Sequence, residues 1–259
     1  MPDDRKTYRD IPGWFRHIDV LLFRAFLQNS KEPGDLVEIG VFKGKSAVVI
    51  GEHVRPGEKF VAIDIFGDLS LLSESDADRD NASENKRYYP RLTLDAFTEN
   101  YLSIHDELPV VVQAPSTDIV KHVDPGTARF IHVDASHLYA GVAADCRSAK
   151  LLLRPGGVVA FDDWRNQKCP GVAAAIWESV VKDGLIPVAT TTNKLYGVYS
   201  DPEPALEVVR ALAAEKPDFI VPEEIDVMGR TLIRMGVKEK PAPDQPETAP
   251  AKRRWLGRG

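Results

Sequence analysis

The stretch Leu36-Val37-Glu38-Ile39-Gly40-Val41-Phe42-Lys43-Gly44-Lys45-Ser46 decides how the chain is to be read. Four mostly apolar residues end at a glycine, and a second glycine precedes a run of helix-compatible residues, Ser46 to Val54. This is the grammar of a buried strand, a tight turn and the start of a helix. Glycine lets backbone approach a ligand closely, and a helix start offers free N–H groups. Arg55-Pro56-Gly57-Glu58 then marks a turn, and Phe60-Val61-Ala62-Ile63 a second strand ending in Asp64.

The same pattern recurs downstream. Pro109–Gln113, Arg129–Val133 and Gly157–Phe161 are short apolar runs, with helical segments between them. Val142, Cys146, Ala149 and Leu153 keep helical spacing ahead of a Pro155-Gly156-Gly157 turn. Strands alternating with helices predict a Rossmann-like, doubly wound, seven-stranded, mostly parallel α/β sheet covered on both faces. Leu185–Thr192 and Leu195–Ser200 flank Asn193-Lys194 and predict an antiparallel C-terminal hairpin. Upstream, Phe15, Ile18, Leu22 and Phe26 predict an N-terminal helix, and the first dozen residues read as frayed.

Two segments fall outside this rhythm. Residues 67–89 carry six acids and three bases, the profile of a lid or a disordered loop. Residues 238–259 hold four prolines and no apolar period, and read as a disordered basic tail on a single domain spanning residues 1–237.

The 259 residues include 33 Lys and Arg against 39 Asp and Glu, a formal charge of −6. The acidic balance disfavours nucleic acid as the main partner. No apolar run approaches the roughly 20 residues that span a bilayer. Two cysteines and the lack of an apolar leader favour a reducing cytoplasm.

Three ligands compete for the glycine turn. A phosphate loop needs four residues between its glycine and Gly-Lys-Ser, and here there are three. A dinucleotide fingerprint needs glycine where Phe42 stands. The third pattern, Glu38-x-Gly40-x-x-x-Gly44-x-Ser46 followed by Asp64, resembles motif I of class I S-adenosylmethionine-dependent methyltransferases. The resemblance implies that the turn passes the methionine part of the donor and that Asp64 takes the ribose hydroxyls. It also brings Ser116 near the adenine, although a helix N-cap is an equal reading of that serine.

Later strand ends carry acids. Asp134 follows one, and Asp162-Asp163 follows the next. Carboxyl ends of adjacent parallel strands face one crevice, where three carboxylates repel unless a cation joins them. An oxygen-only ligand set favours Mg²⁺. Against this, a single strand-end aspartate is often only a cap or turn residue.

The stretch His132-x-Asp134-x-x-His137-x-Tyr139-x-Gly141, then Pro155-Gly156-Gly157, then Asp162-Asp163, resembles the metal-dependent sugar O-methyltransferases of the macrocin and mycinamicin group. It is also similar to the methyltransferases of methylmannose polysaccharide. The resemblance implies a cation on Asp134, Asp162 and Asp163, a carbohydrate acceptor and a homodimer. Ala135 and Ser136 depart from the commoner form of the motif and leave the acceptor open. His137 is the candidate base, with Asp134 the next. Tyr88, Tyr139 and Trp164 are candidate acceptor contacts, each equally readable as packing or solvated surface. A catechol-like phenol is an alternative acceptor, and a non-catalytic nucleotide-binding scaffold an alternative class.

Overall fold

The computed structural model describes residues 6–73, 82–83 and 92–238. Most of the predicted lid, including Tyr88, and all but the first residue of the predicted tail lie outside the described residues.

Among the described residues, nine strands form one sheet in the order β3-β2-β1-β4-β5-β7-β6-β9-β8. The first five are β1 (Asp35–Ile39), β2 (Phe60–Asp64), β3 (Val110–Gln113), β4 (Ala128–Val133) and β5 (Leu153–Phe161), all mutually parallel. β6 (Ile186–Thr190) and β7 (Leu195–Val198) make the predicted antiparallel hairpin. The expected seven strands are therefore present in doubly wound order. Two more extend the sheet: β8 (Ile220–Val227) and β9 (Arg230–Val237) form a second hairpin, whose β9 runs parallel to β6.

Alternation along the strands sorts residues to two faces. Leu36, Phe60, Ala62, Phe130, Ala160 and Tyr196 face one core. It is covered by α1 (His17–Asn29), α2 (Lys45–Gly51), α3 (Leu94–Leu102) and, once the chain has passed β7, by the last helix, Glu203–Glu215. Val37, Ile39, Val61, Ile131, Val133 and Phe161 face the other. There α4 (Tyr139–Leu152) presents Val142, Cys146, Ala149 and Leu152, and α5 (Pro170–Glu178) presents Val172, Ala175 and Ile176. The Pro155-Gly156-Gly157 turn lies within the span of β5, as an irregularity between the pairs Ala128–Leu153 and Phe130–Val158.

The N-terminus differs from the frayed segment expected. Thr7 caps a short 3₁₀ turn, Tyr8–Asp10, with a reciprocal capping box. Ile11 is buried and its carbonyl accepts from Lys45 Nζ at 2.9 Å. One buried isoleucine and one lysine thus strap this segment onto the start of α2. No helix among the described residues is long and apolar enough to cross a membrane.

Candidate active site

Strand register brings the motifs together. Ile39 pairs with Ile63 and with Val133, and Val133 pairs with Phe161. The next residues, Gly40, Asp64, Asp134 and Asp162, therefore form one row along the carboxyl edge of the sheet. Asp134 N–H donates to the Ile39 carbonyl at 2.7 Å, and Asp162 N–H to the Val133 carbonyl at 3.0 Å. These bonds carry the ladder one residue past the strand ends.

Gly40 has a φ of +83°. A Cβ there would stand 2.2 Å from the carbonyl oxygen of Asp134, so no other residue fits. The glycine turn and Asp134 thus touch through backbone. Asp64 braces the same turn. Its Oδ2 accepts from the N–H groups of Val41 (2.7 Å) and Phe42 (3.0 Å), and its Oδ1 from Phe66 (2.8 Å). Burial raises the Asp64 pKa, against the lowering by these N–H groups. The Ile65 N–H lowers it as well, so backbone amides engage both oxygens of this carboxylate. Phe42 itself adopts φ +51° and stacks on the exposed Trp14, ring centroids 5.7 Å apart.

Glu38 and Ser46, expected at the donor, lie beneath it. Glu38 is wholly buried; its Oε1 accepts from Ser46 Oγ at 2.5 Å and bonds His132 Nδ1 at 2.8 Å. Oε2 has no partner among the described residues, and burial pushes the Glu38 pKa up to about 8. His132 Nε2 lies 2.9 Å from Lys194 Nζ, which lies 2.5 Å from Asp162 Oδ2. Charged, the ammonium only donates, so Nε2 accepts and Nδ1 carries the proton it gives to Glu38. Burial holds His132 neutral, with the Lys194 charge acting in the same direction.

Lys194 is the residue that sequence reasoning missed. Its place beside Asn193 reads as a polar hairpin turn, yet it is only 1% exposed, with its ammonium over the rings of Phe15 (5.6 Å) and Phe23 (5.9 Å). Thr191 shapes the turn, its Oγ1 accepting from Lys194 N–H at 3.0 Å. Asp19 on α1 is buried nearby, its Oδ1 accepting from Thr191 and from Tyr196, each at 2.8 Å. Helical spacing had marked α1 as apolar and gave Asp19 no role; its pairing becomes visible only in the tertiary structure.

His137 Nε2 lies 2.9 Å from Asp163 Oδ2, with both side chains partly open to solvent. Asp163 has φ +55°. Burial would raise its pKa, but His137, Asn166 and Lys194 together bring it below the ordinary value. Asp134 goes the other way: burial, then the charges of Asp162 and Asp163, push it well up. Among the described residues two groups bring ligand atoms within 4.8 Å of one another: His132, Asp134 and Asp162, and Asp134, His137 and Asp163. The three aspartates expected to share a cation are thus divided between two overlapping groups, with Asp134 common to both. Carboxylate and imidazole donors at this spacing suit a divalent cation.

The remaining candidates are less central. Ser116 opens a 3₁₀ helix, Ser116–Lys121, with Pro115 rather than Ser116 in the N-cap position. It faces Asp145 of α4, whose pKa burial raises to about 7. The Tyr139 hydroxyl donates to Glu178, at the far end of α5. Trp164 packs edge-on against Trp177, centroids 6.1 Å apart, with the Arg165 guanidinium over its ring.

Residues 37–164, from the first strand through the acid pair, match a family model described as a methyltransferase domain. These residues form a methyltransferase domain with the class I fold. Its sheet order through β7 is the doubly wound order of that class. Among solved structures, the O-methyltransferase NovP is similar at 20% identity, covering 76% of this chain and 87% of its own, with a TM-score of 0.57. CalS11, a TDP-rhamnose 3'-O-methyltransferase of calicheamicin biosynthesis, is similar at 19% identity over 72% and 82%, with a TM-score of 0.47. An O-methyltransferase from Bacillus cereus bound to SAH is similar at 15% over 73% and 85%, with a TM-score of 0.43. At such identities the NovP likeness establishes the methyltransferase fold. No curated protein sequence matches the chain significantly.

Proposed function

We propose that this methyltransferase transfers the sulfonium methyl of S-adenosylmethionine to a sugar hydroxyl, with a divalent cation, most simply Mg²⁺, in the acid cluster around Asp134. One observation carries the reading: Asp134 abuts the donor turn through its backbone while its side chain joins the His137–Asp163 pair. Donor, cation and base positions therefore adjoin at one residue. The O-methyltransferase likeness and the acid motifs of the sugar-methylating group support the choice of a hydroxyl acceptor.

The step is a direct displacement. The acceptor oxygen forms its bond to the methyl carbon, the carbon–sulfur bond breaks, and its electron pair returns to sulfur, giving S-adenosylhomocysteine. The hydroxyl proton passes to the His137 imidazole, and the Asp163 carboxylate beside Nε2 stabilises the imidazolium. A cation in this cluster supplies charge that lowers the acceptor hydroxyl pKa and fixes its direction. The glycine turn, braced by Asp64, holds the donor so that oxygen, carbon and sulfur lie in line.

The test is transfer of labelled methyl to mannosides, deoxysugar glycosides and catechols, each with and without chelator. Label in a sugar, lost in excess chelator and restored by Mg²⁺, is the expected result. Label only in catechols would move the acceptor to a phenol. A protein that fails to bind S-adenosylmethionine by calorimetry would not be an active enzyme of this kind.

A further inference from the structure

We propose that the ammonium of Lys194 permanently fills the inner of two adjoining cation positions, so that the exchangeable divalent cation is held by Asp134 and Asp163 rather than by Asp162. The inference rests on the divalent-cation reading above and narrows it. The two candidate groups share Asp134 but differ in what already stands in them. In the inner group, two of the three residues already hold Nζ: His132 Nε2 at 2.9 Å and Asp162 Oδ2 at 2.5 Å. The other oxygen of Asp162, Oδ1, accepts the Asp163 N–H at 2.8 Å. Lys194 is sealed from solvent beneath Phe15 and Phe23, which blocks exchange with dissolved ions.

The outer group has the opposite character. The side chains of His137 and Asp163 are 17% and 23% exposed, so an ion has a way in. The left-handed backbone at Asp163 turns this residue away from the strand direction. Consecutive acids thus diverge, Asp162 inward to the lysine and Asp163 outward to His137. The charges match as well. With a cation bound and Asp134 ionised, three carboxylates carry −3, one ammonium returns +1, and a single divalent cation supplies the remaining +2. A lysine is apt for the buried half, since a lone buried carboxylate is costly and a paired one much less so.

Mn²⁺ read by electron paramagnetic resonance tests the assignment on the full chain. In the wild-type background, Asp163→Asn should weaken Mn²⁺ binding by about tenfold or more, and Asp162→Asn by less than about threefold. Lys194→Met vacates the inner position, and there the added Asp162→Asn should cost about tenfold or more. A lysine with only a packing role would leave the effect of Asp162→Asn the same in both backgrounds. Equal losses for Asp162→Asn and Asp163→Asn in the wild type would overturn the inference, and this pair needs no lysine variant to fold. No Mn²⁺ binding by the wild type or by Lys194→Met would remove the cation reading itself.

Discussion

The polar line under α1 and the charged pairs of the outer hairpin use the same residue types to different ends. Glu38, His132, Lys194 and Asp162 are joined in a buried chain of hydrogen bonds beneath the glycine turn. Glu223 on β8 pairs with Arg234 on β9, and Arg210 of the last helix pairs with Glu203 of that helix and Glu224 of β8, all with side chains about half exposed. Water shields the second set, and each charge survives the loss of its partner. The first set has no such recourse, because desolvation makes an unpaired charge expensive. Burial, rather than residue type, separates a site from a surface.

The contrast is broken or sharpened by four variants. Lys194→Met should destabilise the fold most, by about 3–5 kcal/mol, because it leaves buried carboxylates uncompensated. Denaturant unfolding measures it, and a loss under about 1 kcal/mol would mean that the buried line is not a charge network. His137→Ala should lower kcat by about a hundredfold with little change in melting temperature, since the side chain is partly solvated. Unchanged turnover at both low and high pH would remove His137 as the base.

The third variant uses pH. Glu38 is raised from an ordinary carboxylate value to about 8, so the folded state holds a proton that the unfolded state releases. Stability therefore falls as pH rises from the unfolded pKa to about 8, with a slope on the order of 1 kcal/mol per pH unit from this group. Glu38→Gln should remove that slope, as the difference between wild-type and variant unfolding curves from acid to neutral pH. A difference of opposite sign would mean that Glu38 is ionised beneath the turn. Smallest is Arg234→Ala, expected within about 0.5 kcal/mol of the wild type. A larger loss would place the outer hairpin with the buried set.

The sequence carried more of the row than of what lies beneath it. Gly40, Asp64, Asp134 and Asp162 were legible because each closes an apolar run, and parallel register turns that position into proximity. β8 was not legible. Ile220 is buried, but Val221 to Glu224 are exposed and Pro222 interrupts them, so no alternating pattern marks a strand. Lys194 was hidden for another reason. A lysine beside an asparagine between two apolar runs is the ordinary composition of a hairpin turn, and only the docking of Phe15 and Phe23 over it makes it an interior residue. Likewise, three neighbouring aspartates suggested one shared ion, whereas the backbone at Asp163 splits them.

The added hairpin also relocates the sheet's open margin. Without it, β6 would end the sheet, and its Pro187 to Thr190 are buried residues. With it, the outermost strand is β8, which carries Glu223, Glu224 and Asp226. A bare apolar margin is a template on which a second chain can align, whereas an edge of charged side chains, each ion-paired or solvated, offers no such template. The last strands thus act as a selvedge, finishing a fabric that would otherwise catch on its neighbour. A chain ending at Glu215 would lose no residue of the row Gly40, Asp64, Asp134 and Asp162, yet would be expected to precipitate.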